Sequence, residues 1–202
     1  TAQLNYPDQL GNTITTIQFA APQLIDLTKD GLLDLIIGKK NGTISYYENT
    51  GTTTNPTFEL KNNFLGMVNV STNNQDCFAI PHFFEFKDSI HLFVGNSFGE
   101  FYHFNTIEDN LNLQDSFNRI TTDYFPLTKN AFSSYWVNDI DQDGELNVFV
   151  GQDLGGLFHF EGSWRHVNPF FCANRAQHIR PGHSPAASPP SADFQGKSAT
   201  SP

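Results

Sequence analysis

The sequence predicts an all-β fold of about three β-propeller blades, each a four-stranded antiparallel sheet, arranged as a partial propeller or open arc. Three observations predict it. Apolar triplets ending in glycine recur as Leu35-Ile36-Ile37-Gly38, Leu92-Phe93-Val94-Gly95 and Val148-Phe149-Val150-Gly151, with the glycines 57 and then 56 residues apart. Each is followed four residues later by a second glycine (Gly42, Gly99, Gly155) and then by an aromatic strand: Ile44-Ser45-Tyr46-Tyr47, Phe101-Tyr102-His103-Phe104 and Leu157-Phe158-His159-Phe160. No useful stretch carries the 3.6-residue apolar period of a helix.

Each unit therefore reads as strand, glycine-bounded turn, strand, which is a hairpin. The triplets are apolar at successive positions, and a strand covered on both faces has that pattern, whereas a half-buried one alternates. Sheets stacked face to face around an axis bury both faces of their strands, and a period near 57 residues leaves room for about four strands. The first and third units also match at a constant offset of 113, pairing Asp26 with Asp139, Gly31 with Gly144, and Asn55-Pro56-Thr57-Phe58 with Asn168-Pro169-Phe170-Phe171. The blades are placed at approximately 15–66, 75–125 and 130–171. Closed propellers have 4–8 blades. Three would leave apolar end faces, so further blades or self-association are expected to close the fold.

Composition sets limits. The 20 Phe and 6 Tyr within a 38% hydrophobic chain are enough for a core and favour strands. A net charge of −10 argues against nucleic acid, which needs clustered Lys and Arg. No apolar run reaches the 18 residues of a membrane span, and residues 1–5 lack the pattern of a signal peptide. Two cysteines, Cys77 and Cys172, define neither a disulfide framework nor a zinc site. Residues 172–202 carry one acid and three bases and are rich in Pro, Ser and Ala, so they are expected to be a disordered tail. That tail is read as a natural linker or as a truncated or out-of-frame end.

Two segments carry candidate chemistry. Before the first and third triplets stand Asp26-Leu27-Thr28-Lys29-Asp30-Gly31-Leu32-Leu33-Asp34 and Asp139-Ile140-Asp141-Gln142-Asp143-Gly144-Glu145-Leu146-Asn147. Oxygen side chains at loop positions 1, 3 and 5 converge as the chain turns. Glycine at position 6 permits the turn, position 7 offers a carbonyl and position 9 another side-chain oxygen, a donor set suited to a hard cation. The bidentate Glu of an EF-hand is missing at position 12, where Ile37 and Val150 stand. The second unit reads His82-Phe83-Phe84-Glu85-Phe86-Lys87-Asp88-Ser89-Ile90-His91, two residues shorter and without the turn glycine, and is expected to hold no metal.

An Asp loop of this spacing running into an apolar strand and glycine resembles the FG-GAP/VCBS repeat family, the calcium-binding blades also found in integrin α chains. Gly42-Thr43-Ile44-Ser45-Tyr46-Tyr47-Glu48-Asn49-Thr50-Gly51 looks like the VCBS blades of secreted bacterial surface proteins. The resemblance covers roughly residues 15–171. It implies one Ca²⁺ site from Asp26, Thr28, Asp30, the Leu32 carbonyl and Asp34, and another from Asp139, Asp141, Asp143, the Glu145 carbonyl and Asn147. Affinities of roughly 10⁻⁴–10⁻³ M are expected, as in other extracellular modules. It also implies a secreted or cell-surface segment that binds an extracellular protein or carbohydrate, with structural Ca²⁺ and no catalytic role. The alternative is part of a glycan-active hydrolase or lyase, but no catalytic motif is present. His103 and His159 share the repeat position of Tyr46, so blade packing accounts for them. The sequon at Asn41-Gly42-Thr43 reads as a hairpin turn.

Overall fold

A computed structural model describes residues 6–16, 18–71, 75–121, 132–153, 156–162 and 177–179. Apart from one 3-10 turn at Leu65–Met67, the regular structure among them is all strand. Three antiparallel four-stranded sheets follow one another along the chain, and none closes into a barrel. Blade one is β1 (Ala20–Ile25), β2 (Asp34–Lys39), β3 (Ile44–Asn49) and β4 (Phe58–Asn62). Blade two is β5 (Ile80–Phe86), β6 (Ser89–Gly95), β7 (Phe101–Asn105) and β8 (Asn118–Thr121). Blade three is β9 (Ser133–Asn138), β10 (Leu146–Gln152), β11 (Gly156–Gly162) and β12 (Gln177–Ile179). In each, sequential strands are spatial neighbours, so the sheet is a meander. The three form the open arc expected.

The expected hairpins are β2–β3, β6–β7 and β10–β11. In the first, Gly42 takes φ 81° and its N–H donates to the Lys39 carbonyl, while the Asn41 side chain accepts from the Thr43 N–H. Asn41-Gly42 is thus the turn. The register shifts between Tyr46 and Tyr47 when β4 joins, and between His103 and Phe104 when β8 joins, the same place in two blades.

The fourth strand of blade three lies where no strand pattern was legible. Gln177–Ile179 pair with Leu157–His159 of β11, inside the segment taken for a disordered tail. Edge pairing uses backbone groups, and three residues are too few to carry an alternation. The rest of 172–202 lies outside the described residues, as does Asn168-Pro169-Phe170-Phe171.

Packing follows the stacking of blades. One core lies between blades one and two, with Leu27, Ile36, Ile44 and Tyr46 meeting Phe83, Leu92, Val94 and Phe104. A second joins Phe84, Phe93 and Phe101 of blade two to Tyr135, Val137, Val148, Val150 and Phe160 of blade three. A third, smaller cluster of Ile37, Tyr47 and Phe58 with Ile14 sits on the other side of blade one. Fully burying a side chain such as Phe83 or Phe93 contributes about 1.5–3 kcal/mol.

The glycine that ends each triplet has a packing reason. A Cβ on Gly38 would overlap the Ala79 carbonyl oxygen and the Pro81 ring, and one on Gly95 would overlap the Ser133 carbonyl oxygen. At both places the next blade's inner strand crosses directly over the glycine. Among the described residues, a Cβ at Gly151 would meet only Ser134 Oγ, at 3.3 Å. Among the described residues, no helix is long and apolar enough to cross a membrane.

Candidate metal centre

The two Asp loops connect β1 to β2 and β9 to β10. They fold alike because their side-chain acceptors capture nearby backbone donors. Asp26 accepts from the Gly31 N–H at 2.8 Å, and Asp139 from the Gly144 N–H at 2.9 Å. Asp30 accepts from the Leu32 N–H, and Asp143 from the Glu145 N–H, each at 2.8 Å. The left-handed positions also coincide: Lys29 and Gln142 have φ 59° and 62°, and Gly31 and Gly144 have φ 88° and 86°. Nothing lies within 4 Å of a Cβ built on either glycine, so the backbone conformation and not space requires glycine there.

The ninth residues lie under the loops. Asp34 is fully buried; its Oδ2 accepts from the Leu27 N–H (3.2 Å) and the Tyr46 hydroxyl (3.3 Å), and its Oδ1 from the Asn49 N–H (2.8 Å). Burial is the main cause holding the Asp34 carboxyl above its ordinary pKa, opposed by those backbone donors. Asn147 is buried too, its Oδ1 accepting from the Ile140 N–H at 2.9 Å and its Nδ2 lying 3.2 Å from His159 Nε2. In both loops position 9 thus braces the N–H of position 2. Each also meets the aromatic residue twelve positions on, Tyr46 or His159. In blade two the same pair is His91 and His103, with Nδ1 and Nε2 3.1 Å apart.

The third-blade loop gathers its acids. Asp139, Asp141 and Asp143 bring one carboxylate oxygen each to within 4.8 Å of one another, and so do Asp143, Glu145 and Glu161. Asp139 Oδ1 is buried with no hydrogen-bond partner. An unpartnered buried carboxylate oxygen is costly unless a cation or water meets it. Three carboxylates converging beside such an atom fit a divalent hard cation. Glu161, on β11, was not singled out from the sequence. The signal was present, because the 113-residue offset pairs it with Glu48.

The first-blade loop is more open. Asp26 and Asp30 stay close, with the Asp30 N–H donating to Asp26 Oδ1 at 3.2 Å, but Asp26, Asp30 and Asp34 do not form such a group among the described residues. Position 3 is the reason: Thr28 stands where the third-blade loop has Asp141, so positions 1, 3 and 5 supply two carboxylates and not three. Thr28 is exposed and lines a groove with Tyr46, Glu48, Lys61 and Leu111. Leu32 is half-buried, as is Glu145 at the same position of the other loop. Lys29 reaches to blade two, 3.6 Å from Glu85 and 3.8 Å from Glu108.

Blade two makes the corresponding connection with two residues. Phe86 pairs with Ser89, and Lys87 and Asp88 between them have φ 50° and 62°, as a type I′ turn requires. His82 is not near this turn's acids. It is buried, its Nε2 accepts the Val137 N–H at 3.0 Å, and burial lowers its pKa. Compared with protein-family models, with curated proteins and with solved structures, the chain finds no match.

Proposed function

We propose that this chain is a segment of an FG-GAP/VCBS-type β-propeller that binds Ca²⁺ at its first and third blades. The reading places it in a secreted or cell-surface protein that binds an extracellular protein or carbohydrate. The observation that carries it is the third-blade loop, where three carboxylates converge beside the unpartnered Asp139 Oδ1. The first loop supports it by repeating the same side-chain-to-backbone bonds. Asp139, Asp141, Asp143, the Glu145 carbonyl and Asn147 would hold one ion. Asp26, Thr28, Asp30, the Leu32 carbonyl and Asp34 would hold the other. A carboxylate oxygen that accepts one N–H keeps a lone pair for a metal, so the bracing role of Asp34 is compatible with ligation.

The ion's role is structural. It would join the two ends of a connection between adjacent strands and neutralise acids that otherwise repel across a few ångströms. Calcium titration with thermal melting tests this on the wild type, Asp30→Ala, Asp143→Ala and the double variant. With dissociation constants of roughly 10⁻⁴–10⁻³ M, 10 mM Ca²⁺ stabilises by about 1.4–2.7 kcal/mol per site. Asp143→Ala is expected to remove one contribution and the double variant both. A wild type indifferent to Ca²⁺, or a double variant that responds as the wild type does, would sink the reading.

A further inference from the structure

We infer that the joint between blades two and three is a pH-sensitive hinge, which opens in mild acid when His82 takes up a proton, while the joint between blades one and two stays closed. The inference stands apart from the calcium reading, since it uses the packed faces of the blades and not the loops.

The two joints are closed from the same position. Strand register makes Gln23 and His82 equivalent, because they pair with Ile36 and Phe93 on the second strand of their blades. Register makes Phe83 and Val137 equivalent too, opposite Leu92 and Val148. At the first joint the Gln23 amide donates to the Phe83 carbonyl and accepts from the Phe83 N–H, both at 2.7 Å. At the second, His82 Nε2 accepts from the Val137 N–H at 3.0 Å. Both clamps thus hold one backbone N–H of the next blade, but with different chemistry. The side-chain amide keeps its acceptor at every pH. A backbone N–H can only donate, so His82 accepts only while Nε2 carries no proton. Protonation sets N–H against N–H and breaks the clamp.

The face of blade two that meets blade three carries more of the same chemistry. His82, His91 and His103 are all buried, and along β5, β6 and β7 they share their side with Phe84, Phe93 and Phe101. The His82 ring lies 4.9 Å from that of Trp136, and the His103 ring 5.1 Å from that of Phe93. His91 Nδ1 and His103 Nε2, 3.1 Å apart, bond only if one donates and the other accepts, so the two rings cannot both be imidazolium. The opposite face of blade two packs Phe83, Ile90, Leu92, Val94, Tyr102 and Phe104 towards blade one. Among the described residues no buried histidine lies on that side.

The charged groups around the joint lie at its margins. Among the described residues the one buried Lys, Arg, Asp or Glu is Asp34, in blade one. Tyr135 of β9 faces Phe93 and Phe101, and burial raises its pKa away from neutrality. The acids of the third loop begin at Asp139, past the end of β9, and Lys87 sits 4.8 Å over the Phe86 ring. Glu85 pairs with Lys29 on the side of blade one. His159 stacks on Phe149, which alternates with the valines that face blade two. Of the side-chain types, imidazole is the one that ordinarily changes charge between pH 7.5 and 5.5. Burial holds His82 below its ordinary pKa. The closed joint therefore keeps His82 neutral, and the open joint lets it take a proton. Its stabilisation is whole above about pH 6.5 and is lost as pH falls below that. At pH 5.5 opening is favoured by about 10-fold over pH 7.5.

Amide hydrogen exchange followed by NMR on the 202-residue chain at pH 7.5 and 5.5, corrected for intrinsic rates, tests this at the two clamp donors. Protection of the Val137 amide is expected to fall by at least about 10-fold, and that of Phe83 to stay as it is. H82Q gives the second joint the amide of the first and should reduce the fall at Val137 by about 10-fold. Q23H makes the reverse exchange and should give Phe83 the same sensitivity, and it decides the matter where H82Q fails to fold. No fall at Val137, or an equal fall at both amides of the wild type, overturns the proposal. So does a Val137 amide as acid-sensitive in H82Q as in the wild type, or a Phe83 amide that Q23H leaves indifferent to pH. The measurements are made with Ca²⁺ and with a chelator. A fall at Val137 under only one of these conditions would put the proton on the loop acids, and overturns the proposal as well.

Discussion

Blades two and three are built on the same register, yet they differ in what surrounds them. In blade two the triplet Leu92, Phe93 and Val94 is fully buried, because a blade packs on each face. In blade three Val148 and Val150 are equally buried, but Phe149 between them is half-buried, since among the described residues a blade packs on one face only. Blade two connects its first strands through the two-residue turn Lys87-Asp88, and blade three through seven residues rich in carboxylates. The lesson is that the stacked faces define the blade, while the Asp loop is an addition to one edge that blade two does without.

The sharpest way to break that comparison is at the triplet glycines. Gly95→Val drives a side chain into the Ser133 carbonyl, a backbone atom that cannot move aside without separating blades two and three. A loss of at least about 3 kcal/mol in denaturant unfolding is expected. Gly151→Val, at the equivalent place in blade three, meets only a serine hydroxyl among the described residues and should cost less than about 1 kcal/mol. Equal costs at the two glycines would mean that blade packing is not what requires them.

A smaller effect is expected from the buried histidines. His103 in blade two is fully buried, and burial, with His91 beside it, pushes its pKa down to about 2 from 6.5. The folded state therefore keeps it neutral while the unfolded state takes a proton. Its stabilising contribution is present above pH 6.5 and is lost as pH falls towards 2. At pH 5.5 the loss is about 1.4 kcal/mol relative to neutral pH. His103→Gln should shrink the difference in stability between pH 7.5 and 5.5 by that amount. An unchanged pH dependence in His103→Gln would mean that the folded chain takes up a proton at this buried ring, against its burial.

The smallest effect concerns the connections. Lys87 and Asp88 both hold positive φ, which residues other than Gly, Asn and Asp resist, so the strain falls on Lys87. Replacing the pair with Asn-Gly should stabilise the chain by about 0.5–1 kcal/mol. The gain should be the same with and without Ca²⁺. Calcium dependence appearing or vanishing with this change would link the turn to the metal loops and blur the distinction between the blades.

Much of this architecture was legible because it rests on contacts local in sequence. The Asp loops close on themselves through bonds spanning two to five residues, such as the Gly144 N–H to Asp139, so fixed spacing forecasts them. Hairpins such as β2–β3, and the doubly covered triplets, follow equally from composition within a few residues. β12 was not legible, since three residues of edge strand leave no pattern.

What the sequence by itself determined is the unit: apolar triplet, glycine, aromatic strand, and an acidic loop at positions 1, 3 and 5. Tertiary structure alone decided that Gln23 and His82 share one role, because their partners Phe83 and Val137 lie 55 or more residues away. It also decided that Asp34 and Asn147 turn inward as braces and that Glu161 joins the acids of loop three. Spacing along a chain sets which backbone groups a side chain reaches next to itself. The stacking of one sheet on another sets everything it reaches beyond that.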